Sequence, residues 1–214
     1  GQPCARRPDW QQVGYVLAHP EIGVGDGGGG NVDDVVSGND HILGGDGDDQ
    51  IDGGDGADEI YGNSGDDHIL GGTDNDNIWG GDGNDQIDGG SGNDVLDGGG
   101  GSDEIDGGIG IDEVTYLGGS GVVVNLSDDE IVGDAGLVAA GTATDGFSQV
   151  DTLANVENVT GSSYSDYLIG DAGANVLSGG GGDDLISGGS GDDKLDGGTG
   201  NDLYIASAGN DTII

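Results

Sequence analysis

Aspartate recurs at a nine-residue spacing through the middle of the chain, and its carboxylates are the side chains best suited to chemistry. From Gly44 to Thr115 the sequence divides without a gap into eight nine-residue units, each with Asp at its sixth position. These residues are Asp49, Asp58, Asp67, Asp76, Asp85, Asp94, Asp103 and Asp112. Carboxylates and turn carbonyls are hard oxygen donors, and about six to eight of them suit Ca²⁺ better than Mg²⁺. No cluster of Cys or His offers a zinc or copper site.

The other positions of the unit describe the element that must carry each aspartate. Glycine occupies the first, second and fourth positions of every unit, with two exceptions: Asn63 at a second position and Asp74 at a fourth position. Because glycine adopts positive φ easily, the first six positions are predicted to form a tight turn. Positions seven to nine alternate polar, apolar, polar, which predicts a three-residue strand with one inward side chain. The eighth position is always aliphatic, at Ile51, Ile60, Ile69, Ile78, Ile87, Leu96, Ile105 and Val114.

The strict period predicts an all-β solenoid built from these turns and strands. One unit cannot bury its apolar face alone, so units must stack. If two units complete one coil, units n and n+2 lie about 4.8 Å apart in a parallel β-helix. The sixth-position carboxylates then form two rows of like charges, which repel unless cations lie between them.

The remainder of the chain defines four segments. Residues 1–34 are predicted to be a non-repeat tail or linker, and 35–115 form the first array, whose entry unit carries Asp40. Residues 116–160 are predicted to be a spacer with short strands at 116–117, 122–126 and within 151–160, joined by an acidic loop over 127–149. The second array, 161–214, has six units with Asp166, Asn175, Asp184, Asp193, Asp202 and Asp211 at their sixth positions. Its first two units are expected to bind a cation weakly or not at all, because Asn175 lacks the charge and the turn before Asp166 lacks the glycines.

The units resemble the GGxGxDxUx nonapeptide of the RTX (repeats-in-toxin, hemolysin-type) family, a Ca²⁺-binding β-helix repeat. The resemblance implies a right-handed parallel β-roll in which the sixth-position Asp and backbone carbonyls of the glycine turn bind Ca²⁺ between stacked turns. The aspartates to which that role carries over are Asp40, the eight aspartates of the central units, Asp184, Asp193, Asp202 and Asp211. The corresponding turn glycines are Gly45, Gly47, Gly54, Gly56, Gly81, Gly83, Gly90, Gly92, Gly99, Gly101, Gly180, Gly182, Gly189 and Gly191.

Charge and composition limit the fold and the partners. The 214 residues carry a formal net charge of −40, only three Lys and Arg, 53 Gly and 4% aromatic residues. A chain with so little apolar surface is expected to be unfolded without Ca²⁺ and to fold on binding it. Nucleic acid and anionic membrane would be repelled, and no apolar run is long enough for membrane insertion. The single cysteine, Cys4, excludes an internal disulfide, and the absence of Met suggests part of a larger polypeptide.

The sequence therefore predicts a non-enzymatic calcium-binding module of a secreted, extracellular bacterial protein, and the family resemblance implies type I export. Neither HExxH nor GxSxG occurs, so any catalysis would belong to an upstream domain. The alternatives are the non-catalytic C-terminal region of a secreted protease, lipase or polysaccharide-modifying enzyme, and an adhesin or stalk segment. Tyr61 and Trp79, two units apart on one outward face, are also candidates for carbohydrate contact or for simple cover of the strand surface.

Overall fold

The computed structural model describes residues 23–24, 31–33, 37–133, 136–144, 149–205 and 208–214. In these ranges the regular secondary structure consists of β-strands alone. In chain order the strands are β1 Gly23–Val24, β2 Asn31–Asp33, β3 His41–Asp46, β4 Gln50–Asp55, β5 Glu59–Ser64, β6 His68–Thr73, β7 Asn77–Asp82, β8 Gln86–Ser91, β9 Val95–Gly100, β10 Glu104–Asp106, β11 Glu113–Thr115, β12 Val123–Asn125, β13 Ile131–Gly133, β14 Gly136–Val138, β15 Thr142–Thr144, β16 Val150–Ala154, β17 Asn158–Thr160, β18 Tyr167–Ile169, β19 Val176–Ser178, β20 Leu185–Ser187, β21 Lys194–Asp196, β22 Leu203–Ile205 and β23 Thr212–Ile213.

Two long sheets form the faces of a parallel solenoid. Sheet 1 has the order β1-β3-β5-β7-β9-β11-β17-β19-β21-β23, and sheet 2 the order β2-β4-β6-β8-β10-β16-β15-β12-β18-β20-β22. Within each array the chain alternates between the sheets, and each strand pairs in parallel with the strand 18 residues later, as in Ile42↔Ile60 and Ile51↔Ile69. The predicted stacking of units n and n+2 is therefore confirmed, and with it the all-β solenoid.

The core is a column of the eighth-position side chains. All eight predicted aliphatic residues of the central units are 3% exposed or less, and Leu168, Leu177, Ile186 and Leu195 continue the column through the second array. Each fully buried aliphatic side chain stabilises the fold by about 1.5–3 kcal/mol. Tyr204, the one aromatic residue in this register, is half-buried, and its hydroxyl accepts a hydrogen bond from the Gly197 N–H at 2.8 Å.

The strands of the first array are longer than the predicted three residues. Strands β3 to β9 each have six residues, because positions one to three of the following unit extend the strand and continue the pairing, as in Gly45↔Asn63 and Asp46↔Ser64. The first glycine of the unit is then buried, on the same inward side of the strand as the eighth-position residue. In the second array, strands β18 to β22 have the predicted three residues.

The spacer continues both sheets but adds more strands to sheet 2. In sheet 1, β11 pairs directly with β17 at an offset of 45 residues, Val114↔Val159. In sheet 2, β16 and β12 lie parallel to the coils on either side, and β15 pairs antiparallel with both of them. A regular coil would place one strand of sheet 2 between β10 and β18, whereas β16, β15 and β12 all lie there. Sheet 2 is therefore longer by two strand spacings, roughly 10 Å.

Three predictions for the non-repeat segments are corrected. Strand β11 ends at Thr115, so 116–117 is not a strand. The segment 127–149 is not only a loop, since it contains the antiparallel pair β13–β14 and strand β15. Strands β1 and β2 lie within the predicted tail 1–34 and pair with β3 and β4. The rest of that tail, including Cys4, lies outside the described residues. The described ranges contain no helical segment that could span a membrane.

Candidate calcium sites

The sixth-position aspartates lie at the ends of the turns, with their side chains buried. All eight central aspartates, and Asp184 and Asp193 in the second array, are at most 3% exposed. Their burial follows from the strand alternation, because the sixth and eighth positions lie on the same, inward side of the chain. The spacing that places an aliphatic residue in the core thus also places a carboxylate at the edge of the core.

A ladder of hydrogen bonds fixes one oxygen of these carboxylates. The backbone N–H of Asp67 donates to Asp85 Oδ1 at 2.8 Å, and the N–H of Asp76 donates to Asp94 Oδ1 at the same distance. The same contact, from one aspartate to the aspartate 18 residues later, repeats along both edges of the solenoid. Each coil therefore orients the carboxylate of the next.

The second carboxylate oxygen, Oδ2, is buried and has no hydrogen-bond partner in seven of these residues. They are Asp67, Asp76, Asp85, Asp94, Asp112, Asp184 and Asp193. A buried carboxylate oxygen without a partner is costly, so such an atom indicates a missing positive ligand. The residues present therefore fit a divalent cation.

Oδ2 lies close to the first glycine of its own turn and, in the first array, to a backbone carbonyl oxygen of the next coil. A Cβ placed on Gly80 would lie 2.3 Å from Asp85 Oδ2 and 2.6 Å from the carbonyl oxygen of Gly98, in the next coil. We call this group the calcium cradle: the first glycine of a turn, the Oδ2 of the same turn and the first-glycine carbonyl of the next coil. Both acceptors are oxygen, the ligand type that Ca²⁺ prefers. In the described part of the chain, no three His, Cys, Asp or Glu side chains form a metal cluster.

The predicted turn glycines have the backbone conformation that the turn requires. All fourteen of them adopt positive φ, between 89° at Gly189 and 157° at Gly101. The two exceptions to the glycine pattern keep this geometry, since Asn63 has φ 79° and Asp74 has φ 75°. Asn and Asp tolerate this left-handed region better than other side chains, which explains why these substitutions do not interrupt the solenoid.

Burial makes the aspartates hard to ionise without a cation. Desolvation raises the pKa of Asp76 and Asp85 to about 7 and the pKa of Asp67 and Asp94 to about 6. Hydrogen bonds from the backbone oppose the rise, and neighbouring carboxylates of the same row add to it. The rows are thus poorly compatible with full charge at neutral pH unless positive charge lies between them.

We predict that acid stabilises the metal-free fold and weakens Ca²⁺ binding. The pKa values of Asp76 and Asp85 in the fold, about 7, exceed the value of about 4 in an unfolded chain. As pH falls from about 8 towards 5, the folded form takes up protons before the unfolded form and gains stability. Circular dichroism with chelator should show more β-structure at about pH 5 than at about pH 8. With Ca²⁺, the midpoint concentration for folding should rise as pH falls, and a midpoint independent of pH would contradict the prediction.

The first two turns of the second array satisfy their side chains with protein groups. Asp166 Oδ2 accepts from the Ser162 N–H at 2.7 Å, and its Oδ1 accepts from the Val122 N–H at 2.8 Å. The Asn175 amide donates to the carbonyl oxygen of Glu157 at 2.6 Å, and its Oδ1 accepts from the Asp171 N–H at 3.0 Å. These contacts support the prediction that neither turn binds Ca²⁺ strongly.

Asn175→Asp is expected to create an additional calcium site. The substitution replaces the amide donor facing the Glu157 carbonyl by a carboxylate oxygen, and it gives this turn the negative charge of the other sixth positions. The variant should be less stable than the parent without Ca²⁺ and should bind one more Ca²⁺ per chain when saturated. Equilibrium dialysis with calcium analysis measures the number bound. Ala174→Asp, at the exposed neighbouring position of the same turn, is the control for added charge, and equal stoichiometry in the two variants would contradict the prediction.

At the ends of the solenoid the aspartates are less enclosed. Asp40, Asp202 and Asp211 are only half-buried. They still join the ladder, since the Asp40 N–H donates to Asp58 Oδ1 at 2.8 Å and Asp202 Oδ1 accepts from Asp184 at 3.1 Å. Asp211 Oδ1 accepts from Asp193 at 3.2 Å. All the predicted aspartate ligands therefore lie in the two rows.

Two carboxylates that the repeat pattern misses continue the rows through the spacer. Asp151 Oδ1 accepts from the Asp103 N–H at 3.1 Å, and Glu157 Oε2 accepts from the Asp112 N–H at 2.8 Å. The sequence does carry a weak signal for them. Asp151 precedes Leu153, and Glu157 precedes Val159, with the two-residue spacing of the sixth and eighth positions. Because the glycine turns are absent here, this spacing alone does not single them out.

The stacked coils, the buried carboxylate rows and the carbonyl-lined cradles define a calcium-binding parallel β-roll. Comparison with known families agrees with this class. A family model for the RTX calcium-binding nonapeptide repeat, in four copies, matches residues 34–69, 61–96, 79–114, 160–195 and 178–213. These matches cover more than half of the chain, which therefore belongs to the RTX calcium-binding nonapeptide repeat family. A search of curated proteins found no match.

Proposed function

We propose that the chain is a calcium-dependent folding module of a secreted bacterial protein, disordered without Ca²⁺ and folded on binding it after export. The observation that carries the proposal is the row of buried Oδ2 atoms without hydrogen-bond partners, at Asp67, Asp76, Asp85 and Asp94 in the first array and at Asp184 in the second. A divalent cation would supply these atoms with the positive partner that the protein does not provide at neutral pH.

The magnitudes support coupled folding. A buried polar group without a partner costs about 1–3 kcal/mol, and more when it is charged. Seven such oxygens together approach or exceed the net stability of roughly 5–15 kcal/mol that a whole domain has. The metal-free fold is therefore close to or below the limit of stability at neutral pH. Since Ca²⁺ binds the fold and not the dispersed chain, its binding free energy becomes folding free energy.

The proposal includes export through a type I system, because Ca²⁺-dependent folding would keep the chain unfolded until it leaves the cell. RTX repeats are typical of proteins secreted by such systems. Extracellular Ca²⁺ modules bind at about 10⁻⁴ to 10⁻³ M, so they stay empty at cytosolic concentrations and fill outside the cell. The proposed module would leave the cell unfolded and fold where Ca²⁺ is abundant. A chain with a net charge of −40 would also resist collapse before export.

We propose that this module has no catalytic activity of its own. Its recurrent carboxylates lie in the turns, where their oxygens face the cradles rather than a substrate cleft. Two roles within a longer protein are compatible with the same calcium chemistry. The module could follow a secreted protease, lipase or polysaccharide-modifying enzyme, or it could belong to an adhesin or stalk.

The test compares two charge-neutralising substitutions within one turn. Asp85→Asn keeps the Oδ1 acceptor for the Asp67 N–H but removes the charge from the buried cradle. Asp82→Asn removes the same charge from an exposed position three residues earlier. We expect Asp85→Asn to raise the Ca²⁺ midpoint for folding by about tenfold, or about 1.4 kcal/mol, and to lower the cooperativity. Asp82→Asn should behave like the parent. Equal midpoints, measured by circular dichroism, would refute the ligand assignment.

A further inference from the structure

Two aromatic residues form a fixed platform on the outer surface of sheet 1. Tyr61 and Trp79 pair across β5 and β7, and their rings stack with centroids 4.6 Å apart and planes 8° apart. The Tyr61 hydroxyl donates to Glu59 Oε1 at 2.6 Å, which holds the tyrosine ring in place. The predicted placement of this pair on one face is thus confirmed. A platform that is already ordered loses little conformational entropy when a ligand binds.

The platform ends at Trp79, where a cleft opens. The next residue in the same row is Asp97, whose shorter side chain leaves space beyond the tryptophan. A cavity of about 460 Å³ lies here, lined by Tyr61, Trp79, Asp97, Tyr116 and Leu117 together with turn glycines. Leu117 is 66% exposed. The spacer therefore supplies one wall of a cleft whose other wall is the aromatic platform.

The cleft offers one free aromatic face beside a fixed carboxylate. Tyr61 covers one face of Trp79, so the other face lies towards Asp97 and the cavity. Asp97 Oδ2 accepts from Thr115 Oγ1 at 3.3 Å, and the backbone N–H of Gly99 also donates to this carboxylate. The cavity is also lined by Asn63 and Ser64, which add an amide and a hydroxyl that can donate or accept hydrogen bonds.

The chemistry of these groups matches a neutral sugar. A pyranose ring has an apolar C–H face that packs on an aromatic ring, and its equatorial hydroxyls bind carboxylates, amides and hydroxyls at the rim. A cation would need acceptors alone, whereas this rim includes donors. The net charge of −40 disfavours acidic sugars. The cavity volume lies within the range of small-ligand sites, about 300–1,000 Å³, and accommodates roughly one or two sugar rings.

We propose that the cleft beside Trp79 is a binding site for a neutral hexose unit of an oligosaccharide. Trp79 packs on the sugar ring, and Asp97 accepts hydrogen bonds from its hydroxyls. The two side chains occupy the ninth, outward position of their units, whereas the cradle carboxylates face inward, although the cleft and one cradle share Gly80. The site gives the module a recognition role in addition to calcium-dependent folding.

Isothermal titration calorimetry of the full chain in Ca²⁺ tests the proposal, with maltohexaose, cellohexaose and mannohexaose as probes. Circular dichroism first establishes that each variant is folded, so that a failure to bind sugar is distinguished from a failure to fold. We expect saturable binding of at least one probe. Trp79→Ala should weaken it at least tenfold, which corresponds to about 1.4 kcal/mol. Leu70→Ala truncates the same unit position on sheet 2 and should bind like the parent.

Asp97→Asn provides a second variant if the loss of Trp79 disturbs folding. It preserves the shape and the acceptor for Thr115 but removes the charge, and it should weaken binding by about fivefold or more. The proposal is overturned if the folded parent binds none of the three probes, or if the folded variants bind as the parent does. Tetramethylammonium chloride is titrated in parallel. Binding of this cation through Trp79, without sugar binding, would establish a cation site and overturn the proposal as well.

Discussion

Chelation of Ca²⁺ is expected to convert the β-roll into a largely unfolded chain at neutral pH. Without the cation, the carboxylates of Asp67, Asp76, Asp85 and Asp94 stand in rows with their second oxygens buried. The aliphatic column alone is narrow, one side chain per strand, and it cannot offset the entropy of ordering so many glycines. Circular dichroism should show a coil spectrum with excess chelator. Addition of about 10 mM Ca²⁺, roughly tenfold above the weak end of the range for extracellular modules, should restore the β-spectrum cooperatively.

Two controls separate coordination from general screening of charge. Magnesium at the same concentration should be much less effective, because Mg²⁺ is smaller, demands octahedral geometry and retains its waters. Sodium chloride at matched ionic strength screens the exposed carboxylates but cannot replace the missing partner of a buried oxygen. A β-spectrum that persists in chelator at pH 8, or that sodium chloride restores fully, would contradict calcium-dependent folding.

The substitution with the largest expected effect is Gly80→Ala. Gly80 is the buried first residue of its turn, and an added Cβ would lie 2.3 Å from Asp85 Oδ2 and 2.6 Å from the Gly98 carbonyl oxygen. The methyl group would occupy the calcium cradle itself and push apart two backbones one strand spacing from each other. We expect a loss of about 3 kcal/mol of stability in saturating Ca²⁺ from overpacking alone. Loss of the ion from this cradle should add to it.

Gly118→Ala is the matched control for this substitution. A Cβ on Gly118 would meet no atom within 4 Å, so any general effect of replacing glycine by alanine appears here without the clash. Urea unfolding in saturating Ca²⁺ measures the free energy of both variants. If Gly80→Ala and Gly118→Ala unfold with the same midpoint, the space beside Asp85 is not the tightly bounded cradle described above.

The repeat arrays were predictable because their interactions are periodic. Because each unit repeats the contacts of the one before, the sixth-position aspartate and the eighth-position aliphatic residue point inward in every coil, as Asp85 and Ile87 do. The rows of carboxylates follow from that alternation and from pairing at 18 residues. Even the exceptions at Asn63 and Asp74 are explained locally, because both side chains tolerate positive φ.

The spacer was not predictable in the same way, because its order in space departs from its order in sequence. After β11 the chain passes to β12, which lies beside β18, and only later does β16 return to the coil of β10. Strand β15 fills the interval by antiparallel pairing. No local period encodes such contacts. For that reason the roles of Asp151 and Glu157 became visible only in the folded chain.

The sequence by itself determined the repeating unit, its fold class and the carboxylates that a cation must neutralise, because each depends on spacings within nine or eighteen residues. Only the tertiary structure decided that both sheets run unbroken through the spacer, and that Asp166 and Asn175 find protein partners. It also decided that Leu117 is placed across a cleft from Trp79. These features depend on contacts between segments that are distant in the chain, and such contacts follow from packing rather than from period.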